Sequence, residues 1–216
     1  MKEKIYTIPV NEAFDHPGEC GFCVLWRKLE KEILDYVTGP AYMEEDVRGE
    51  MDKAGFCPHH YRKMFASGNR LGLALMLQTR LRYLNSNAKE KHTDSCYACN
   101  RMNGRMESYI STFCYLWKTE EEFRAKVLSG QGFCQVHFQE LMEKGRKYLM
   151  KKPYRSMMET LEPFHREHME RVEEDLDWFV RKFDYRFKDE PWKNSKDAVE
   201  RSIQKVSGVE LLEGGN

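Results

Sequence analysis

Net charge is absent from this chain of 216 residues: 35 Lys and Arg stand against 35 Asp and Glu. That balance excludes a global field directed at nucleic acid or at an anionic membrane. Long apolar runs are missing too. The most apolar stretch, Leu71 to Leu77, is too short to span a bilayer, and Met1-Lys2-Glu3-Lys4-Ile5-Tyr6-Thr7-Ile8-Pro9 lacks the apolar centre of a signal peptide. No Gly-rich phosphate loop, no serine or cysteine nucleophile with its base and no carboxylate pair can be picked out. No segment alternates as a strand would. The expectation is a cytosolic, all-α chain that offers no recognisable reaction. In that compartment thiols stay reduced, so patterned cysteines serve as metal ligands or redox groups rather than disulfides.

Cysteine is what the chain has in pattern. Six of its seven cysteines follow one motif written twice: Cys20-Gly21-Phe22-Cys23 with Gly55-Phe56-Cys57-Pro58-His59-His60, then Cys96-Tyr97-Ala98-Cys99 with Gly132-Phe133-Cys134-Gln135-Val136-His137. The spacers between thiol pair and third cysteine are 33 and 34 residues. Each copy supplies three thiols and an imidazole, the set that closes a tetrahedral structural zinc site. The expected ligands are Cys20, Cys23, Cys57, His60, Cys96, Cys99, Cys134 and His137, with two Zn2+ ions per chain. An iron–sulfur cluster is the alternative for a set of three cysteines and one histidine. His60 matches His137 in position, three residues after the cysteine, which leaves His59 as the spare. The spacing allows each copy to close its own site, and equally allows a cross-brace that joins the thiol pair of one copy to the Cys-x-x-His of the other. A closed set has no open position for substrate, so the ions are expected to be structural.

Helical periodicity surrounds the motif. Phe22, Leu25, Trp26, Leu29, Ile33, Tyr36 and Val37 form one face, stopped by Thr38-Gly39-Pro40. A short acidic helix, Met43 to Ala54, ends at Gly55, and one long helix is expected from His59 to Leu84. The second copy repeats the order. A helix from Tyr97 to Trp117 is followed by the capping box Thr119-Glu120-Glu121-Glu122, a short helix ended by Gly130-Gln131-Gly132, and a helix from Val136 to Met150. A break is expected at Lys151-Lys152-Pro153. The reading is a single domain holding internal repeats over 15–85 and 91–160, with a helical extension over 161–216. The extension holds a long helix from Tyr154 to Phe183, kinked or restarted at Pro163, an aromatic connector through Trp192, a short helix from Lys196 to Val206 and a loose tail ending Gly214-Gly215-Asn216.

Other features are weaker. Glu162-x-x-His165 resembles half of a carboxylate-bridged di-iron signature, but only one copy occurs, so a charged flank with His168 in a partly buried stripe is favoured. His16 and His92 each lie four residues before a thiol pair. Arg62, Lys63, Arg70, Arg80 and Arg82 make a basic stretch, answered by acids such as Glu44, Glu45, Asp46 and Glu50. Cys114, among Ile110, Phe113 and Trp117, reads as a core thiol.

With both Cys-x-x-Cys and Gly-Phe-Cys-x-x-His sets, and with Lys182-Phe183-Asp184-Tyr185-Arg186, Pro191-Trp192 and Ser195-Lys196-Asp197-Ala198 near the C-terminus, the chain resembles an uncharacterised prokaryotic family known as a domain of unknown function. Its members are sometimes labelled transporter binding proteins, a label at odds with reduced thiols and no secretion signal. The resemblance covers most of the chain and implies no established reaction. The sequence thus points to a metal-bearing scaffold or binding protein, with a protein as the partner to consider. An electron carrier or enzyme and a redox or metal sensor are the rivals.

Overall fold

The computed structural model describes residues 5–89 and 95–209. His92 and the Gly214-Gly215-Asn216 tail lie outside the described residues. Among the described residues there is no strand, and ten helices are formed: α1 (Thr7–Asp15), α2 (Gly21–Thr38), α3 (Glu45–Ala54), α4 (Pro58–Ala66), α5 (Arg70–Ser86), α6 (Tyr97–Thr119), α7 (Glu121–Leu128), α8 (Gln135–Tyr148), α9 (Lys151–Arg181) and α10 (Ala198–Ser207). The all-α class read from the sequence is the one observed. The motif order also repeats, as α2–α3–α4 and α6–α7–α8, before the long α9 and the short α10. No described helix is long and apolar enough to cross a membrane.

The chain divides into two compact units, the first made of Met1–Leu25 and Glu107–Asn216, the second of Trp26–Met106. Aromatic packing fills the first. Phe14 of α1 lies with its ring centroid 5.2 Å from both Phe22 and Phe113, 5.8 Å from Phe123 and 6.1 Å from Phe133. Phe22, Phe113, Phe123 and Phe133 are fully buried, and each such side chain contributes about 1.5–3 kcal/mol of transfer free energy. The Phe14 ring also explains Gly21 between the first two thiols: a Cβ there would come within 2.9 Å of it. α1 itself has no counterpart in the sequence reading. It is short, and only Val10 and Ala13 along it are buried, too few apolar positions to register as a period.

In the second unit α3 and α4 lie against α5, around Leu29, Ile33, Leu34, Val37, Met51, Met64, Leu73 and Met76. The single helix expected from His59 to Leu84 is two helices. Gly68 adopts φ +84°, which only glycine takes without steric cost, and Asn69 caps α5 by accepting from Gly72 N at 3.0 Å while donating to Thr38 O at 2.6 Å. Phe65, at the end of α4, and Leu84, at the end of α5, are exposed rather than buried.

Two further expectations are corrected. Thr119 closes α6, its hydroxyl donating back to Tyr115 O at 2.9 Å, and α7 starts without a side-chain cap, so no capping box forms. α9 begins at Lys151 and runs unbroken through Pro153 and Pro163. Pro153 falls in the first turn, where its missing N–H has no intrahelical acceptor to lose.

Candidate metal centres

The two helix starts that follow each thiol pair and each third cysteine set the ligand geometry. Cys20 O accepts from Cys23 N and Val24 N at 3.0 and 3.3 Å, so the first pair is wound into the opening turn of α2. Cys134 is the N-cap of α8, and its sulfur accepts from His137 N at 3.4 Å, which brings the imidazole three residues on to the same side as the thiol. Cys57 occupies the N-cap of α4 without a side-chain capping bond, with Pro58 in the first turn, and Cys96 Sγ accepts from Cys99 N at 3.5 Å. None of the seven cysteines is in a disulfide.

The sets close across the copies. In the first unit Cys20, Cys23, Cys134 and His137 converge, all buried; in the second, Cys57, His60, Cys96 and Cys99 do. His137 Nδ1 lies 3.1 Å from Cys134 Sγ, 3.4 Å from Cys23 Sγ and 3.8 Å from Cys20 Sγ, and Cys23 Sγ is 3.6 Å from Cys134 Sγ. His60 Nδ1 lies 3.2 Å from both Cys57 Sγ and Cys96 Sγ and 3.5 Å from Cys99 Sγ, with the Cys57 and Cys99 sulfurs 4.0 Å apart. A tetrahedral ion with bonds of about 2.3 Å to sulfur and about 2.0–2.1 Å to nitrogen would separate its ligands by roughly 3.8 Å and 3.6 Å. Both clusters therefore stand at metal-binding geometry. Of the two pairings the spacing allowed, the cross-brace is realised.

The electrostatics ask for a cation. Burial pulls the His137 and His60 imidazoles toward neutrality, but thiol partners, Cys134 and Cys20 for the first and Cys96 for the second, outweigh it and raise both to about 10. Cys96 is resisted by burial yet brought down to about 6 by its bond to His60. Cys99, desolvated and beside Cys96, is driven up to about 12. In the first unit Cys20 is likewise lowered despite complete burial, by its neighbours Cys134, Cys23 and His137, while hydrogen bonds to Cys134 and Cys20 push Cys23 far up. One imidazolium compensates only part of the thiolate charge that the set can carry. A dication compensates two of the three thiolates, one more than the imidazolium does.

The family described as "Family of unknown function (DUF6062)" matches this sequence twice, over residues 1–94 and 84–211. The chain belongs to the DUF6062 family. The two matches fall one on each copy of the motif, as a tandem repeat requires. A similar protein is the "Uncharacterized 23.9 kDa protein in xynA 3'region" of Caldicellulosiruptor sp. (strain Rt8B.4), 24% identical over 168 residues that span 74% of this chain and 83% of the relative. No solved structure matches the chain.

Around the ligands of this DUF6062 chain stand residues that sequence reading did not single out. Glu30 of α2 is buried, accepts from His59 Nε2 at 2.9 Å and pairs with Lys63. Burial opposes its charge, but His60, Lys63 and His59 outweigh this and hold the carboxyl at about 2. A signal was present: Glu30 lies four residues after Trp26 and three before Ile33, on the apolar stripe of the helix. Glu19, just before Cys20, is buried and meets Arg171 and Lys205. Lys205 is almost wholly buried and donates to the carbonyls of Glu19, Gln131 and Phe133.

The remaining candidates fall elsewhere. Lys63 is answered by Glu30, Arg70 covers the Phe65 ring and Arg80 donates to the Asp52 carbonyl, so these three members of the basic stretch serve the second unit's own packing. Glu44 instead accepts from Tyr36 OH, and Glu50 from Arg101. His16 is exposed and its Nδ1 accepts from Gly18 N. Cys114 is fully buried. Trp192 sits 5.8 Å from Phe179, and Lys182 ties the connector down by donating to the carbonyls of Phe187, Lys188 and Glu190.

Glu162 is exposed and His168 is half-buried, as the charged flank and partly buried stripe imply, while His165 on the same helix is buried. The His165 ring stacks on Phe138 at 4.0 Å, with Nε2 3.2 Å from Gln135 Oε1. Burial, with Lys205 nearby, lowers it to about 4. Its folded-state value lies below the unfolded value of about 6.5, so unfolding takes up a proton between pH 6.5 and 4 and this stability is lost as pH falls through that window. The stability advantage over His165→Phe should therefore shrink by about 1–2 kcal/mol between pH 7 and pH 5. Urea midpoints of both proteins at the two pH values measure it; parallel pH dependences would show that His165 is not held neutral.

Proposed function

We propose that this chain is a cytosolic scaffold built on two structural zinc ions, one held by Cys20, Cys23, Cys134 and His137 and the other by Cys57, His60, Cys96 and Cys99, and that its helices present a surface to a protein partner. The observation that carries the reading is the closure of two complete Cys3His sets, each converging within 4.8 Å. Thiolate-rich tetrahedral sets suit zinc and leave no coordination position for a substrate. Helix N-termini under Cys57 and Cys134 add further stabilisation of the thiolates.

Paired substitutions test the ligand assignment. Cys20→Ser and Cys134→Ser, singly or together, should each cost one and the same ion, whereas Cys20→Ser with Cys57→Ser should cost both. Elemental analysis of anaerobically purified protein supplies the count. Copies that closed their own sites would reverse the pattern, with Cys20→Ser and Cys57→Ser removing a single ion between them. Iron with inorganic sulfide, and a visible absorption band, would replace zinc with a cluster.

A further inference from the structure

We infer that the second unit binds a third metal ion at Glu30, His59 and His60, linked to the thiolate site through the two nitrogens of the His60 ring. The inference rests on the proposal above that His60 holds an ion through Nδ1.

The His60 ring faces two donor sets at once. Its Nδ1 meets the three sulfurs, while Nε2 lies 3.3 Å from Glu30 Oε1. Nε2 is buried on a residue only 3% exposed, and beyond this long approach to Glu30 it makes no hydrogen bond. His59 Nε2 lies 2.9 Å from the same carboxylate oxygen. Consecutive residues of a helix normally diverge by about 100°, yet here the carboxylate reaching across from α2 brings both imidazoles of α4 to one point. The three donor atoms lie within 4.8 Å of one another. An ion with bonds of about 2.0–2.1 Å in tetrahedral geometry sets its ligand atoms roughly 3.3 Å apart; the two edges from Glu30 Oε1 are 2.9 and 3.3 Å.

Charge favours the same conclusion. Lys63 occupies Glu30 Oε2, so Oε1, which meets the two imidazoles, is the oxygen an ion would take. With three thiolates, one dication, the Glu30 carboxylate and the Lys63 ammonium, the centre carries one net negative charge. A second dication that displaces the Nε2 proton of His60 makes it neutral. The bond formed is metal to Nε2, the bond broken is Nε2–H, and the proton leaves to solvent.

Two histidines and a glutamate on one ion form the ligand set of open zinc sites, which keep a fourth position for water or another oxygen ligand. The His59 side chain is 61% exposed, so that position faces solvent. The third ion is accordingly exchangeable, unlike the two enclosed by thiolates.

Zinc titration of the native protein tests this. Protein isolated with two zinc ions, dialysed against Zn2+ and measured by elemental analysis, should take up a third equivalent, and His59→Ala and Glu30→Gln should both stop at two. Co2+ added as the third ion should show ligand-field bands without thiolate-to-metal charge transfer. Saturation of the wild type at two ions, or a third ion retained by His59→Ala, overturns the inference and leaves the two thiolate sites intact. Protein that holds fewer than two ions overturns both readings.

Discussion

Stripping both ions with a strong chelator should abolish the cooperative melting transition and most of the helical circular dichroism. The cause is topological as much as energetic. In the first unit the ion would tie the turn at Cys20–Cys23 to the turn at Cys134–His137, segments that are distant in sequence and share no strand ladder to hold them together. In the second it would tie Cys57–His60 to Cys96–Cys99. Structural zinc contributes on the order of 10 kcal/mol per site at neutral pH, against a typical net stability of about 5–15 kcal/mol for a whole domain. Loss of either ion thus removes as much free energy as folding leaves in hand. Without metal, the buried thiols of the first unit would face one another across desolvated space, with one imidazolium to balance them. Ellipticity at 222 nm, thermal melting and residual metal should be followed on the same samples. Metal-free protein with unchanged ellipticity and an unchanged melting point would show that the ions are not structural.

Lys205→Ala should lower stability by about 3 kcal/mol, a fall in melting temperature of roughly 10 °C for a chain of this size. Lys205 is 1% exposed, and its Nζ donates to Gln131 O at 2.6 Å and to Glu19 O and Phe133 O at 3.2 Å, while lying 3.1 Å from Glu19 Oε2. Glu19 precedes Cys20 and Phe133 precedes Cys134, so one ammonium from α10 fastens both ligand-bearing turns of the first unit. Removing it leaves buried carbonyls without donors, each costing about 1–3 kcal/mol where water cannot enter. Glu19 keeps Arg171 and Arg201, which limits the loss of charge compensation. Lys205→Met separates the contributions because it keeps an apolar stem and loses the donors. If the hydrogen bonds matter, Met falls almost as far as Ala in urea denaturation; a Met variant as stable as the wild type would assign the contribution to packing alone.

Much of the fold was legible because its signals are local. The stripe from Phe22 to Val37, the stop at Thr38-Gly39-Pro40 and the glycine before each third cysteine depend on neighbours a turn away, and they recur as α2, Gly55 and Gly132. What was misread involved competition between local and tertiary demands. The apolar positions from His59 to Leu84 read as one helix, but Asn69 finds Thr38 O as well as Gly72 N and splits it. Thr119-Glu120-Glu121-Glu122 has the letters of a capping box, but the threonine hydroxyl was already committed to the preceding helix. Lys205 and Glu19 were invisible as a pair because nothing in a sequence links residues so far apart.

The sequence by itself determined the class of the fold, the duplication and the identity of eight candidate ligands, since all three are written in spacing and residue type. Which four ligands share an ion was decided only in three dimensions. The helix after each thiol pair, 18 residues in α2 and 23 in α6, is longer than the one that follows it, 10 residues in α3 and 8 in α7. Those lengths leave both closures open, and in the folded chain each Cys-x-x-His turn meets the thiol pair of the other copy. The same tertiary closure brought Glu30 to the far nitrogen of His60 and Lys205 to the turns before Cys20 and Cys134.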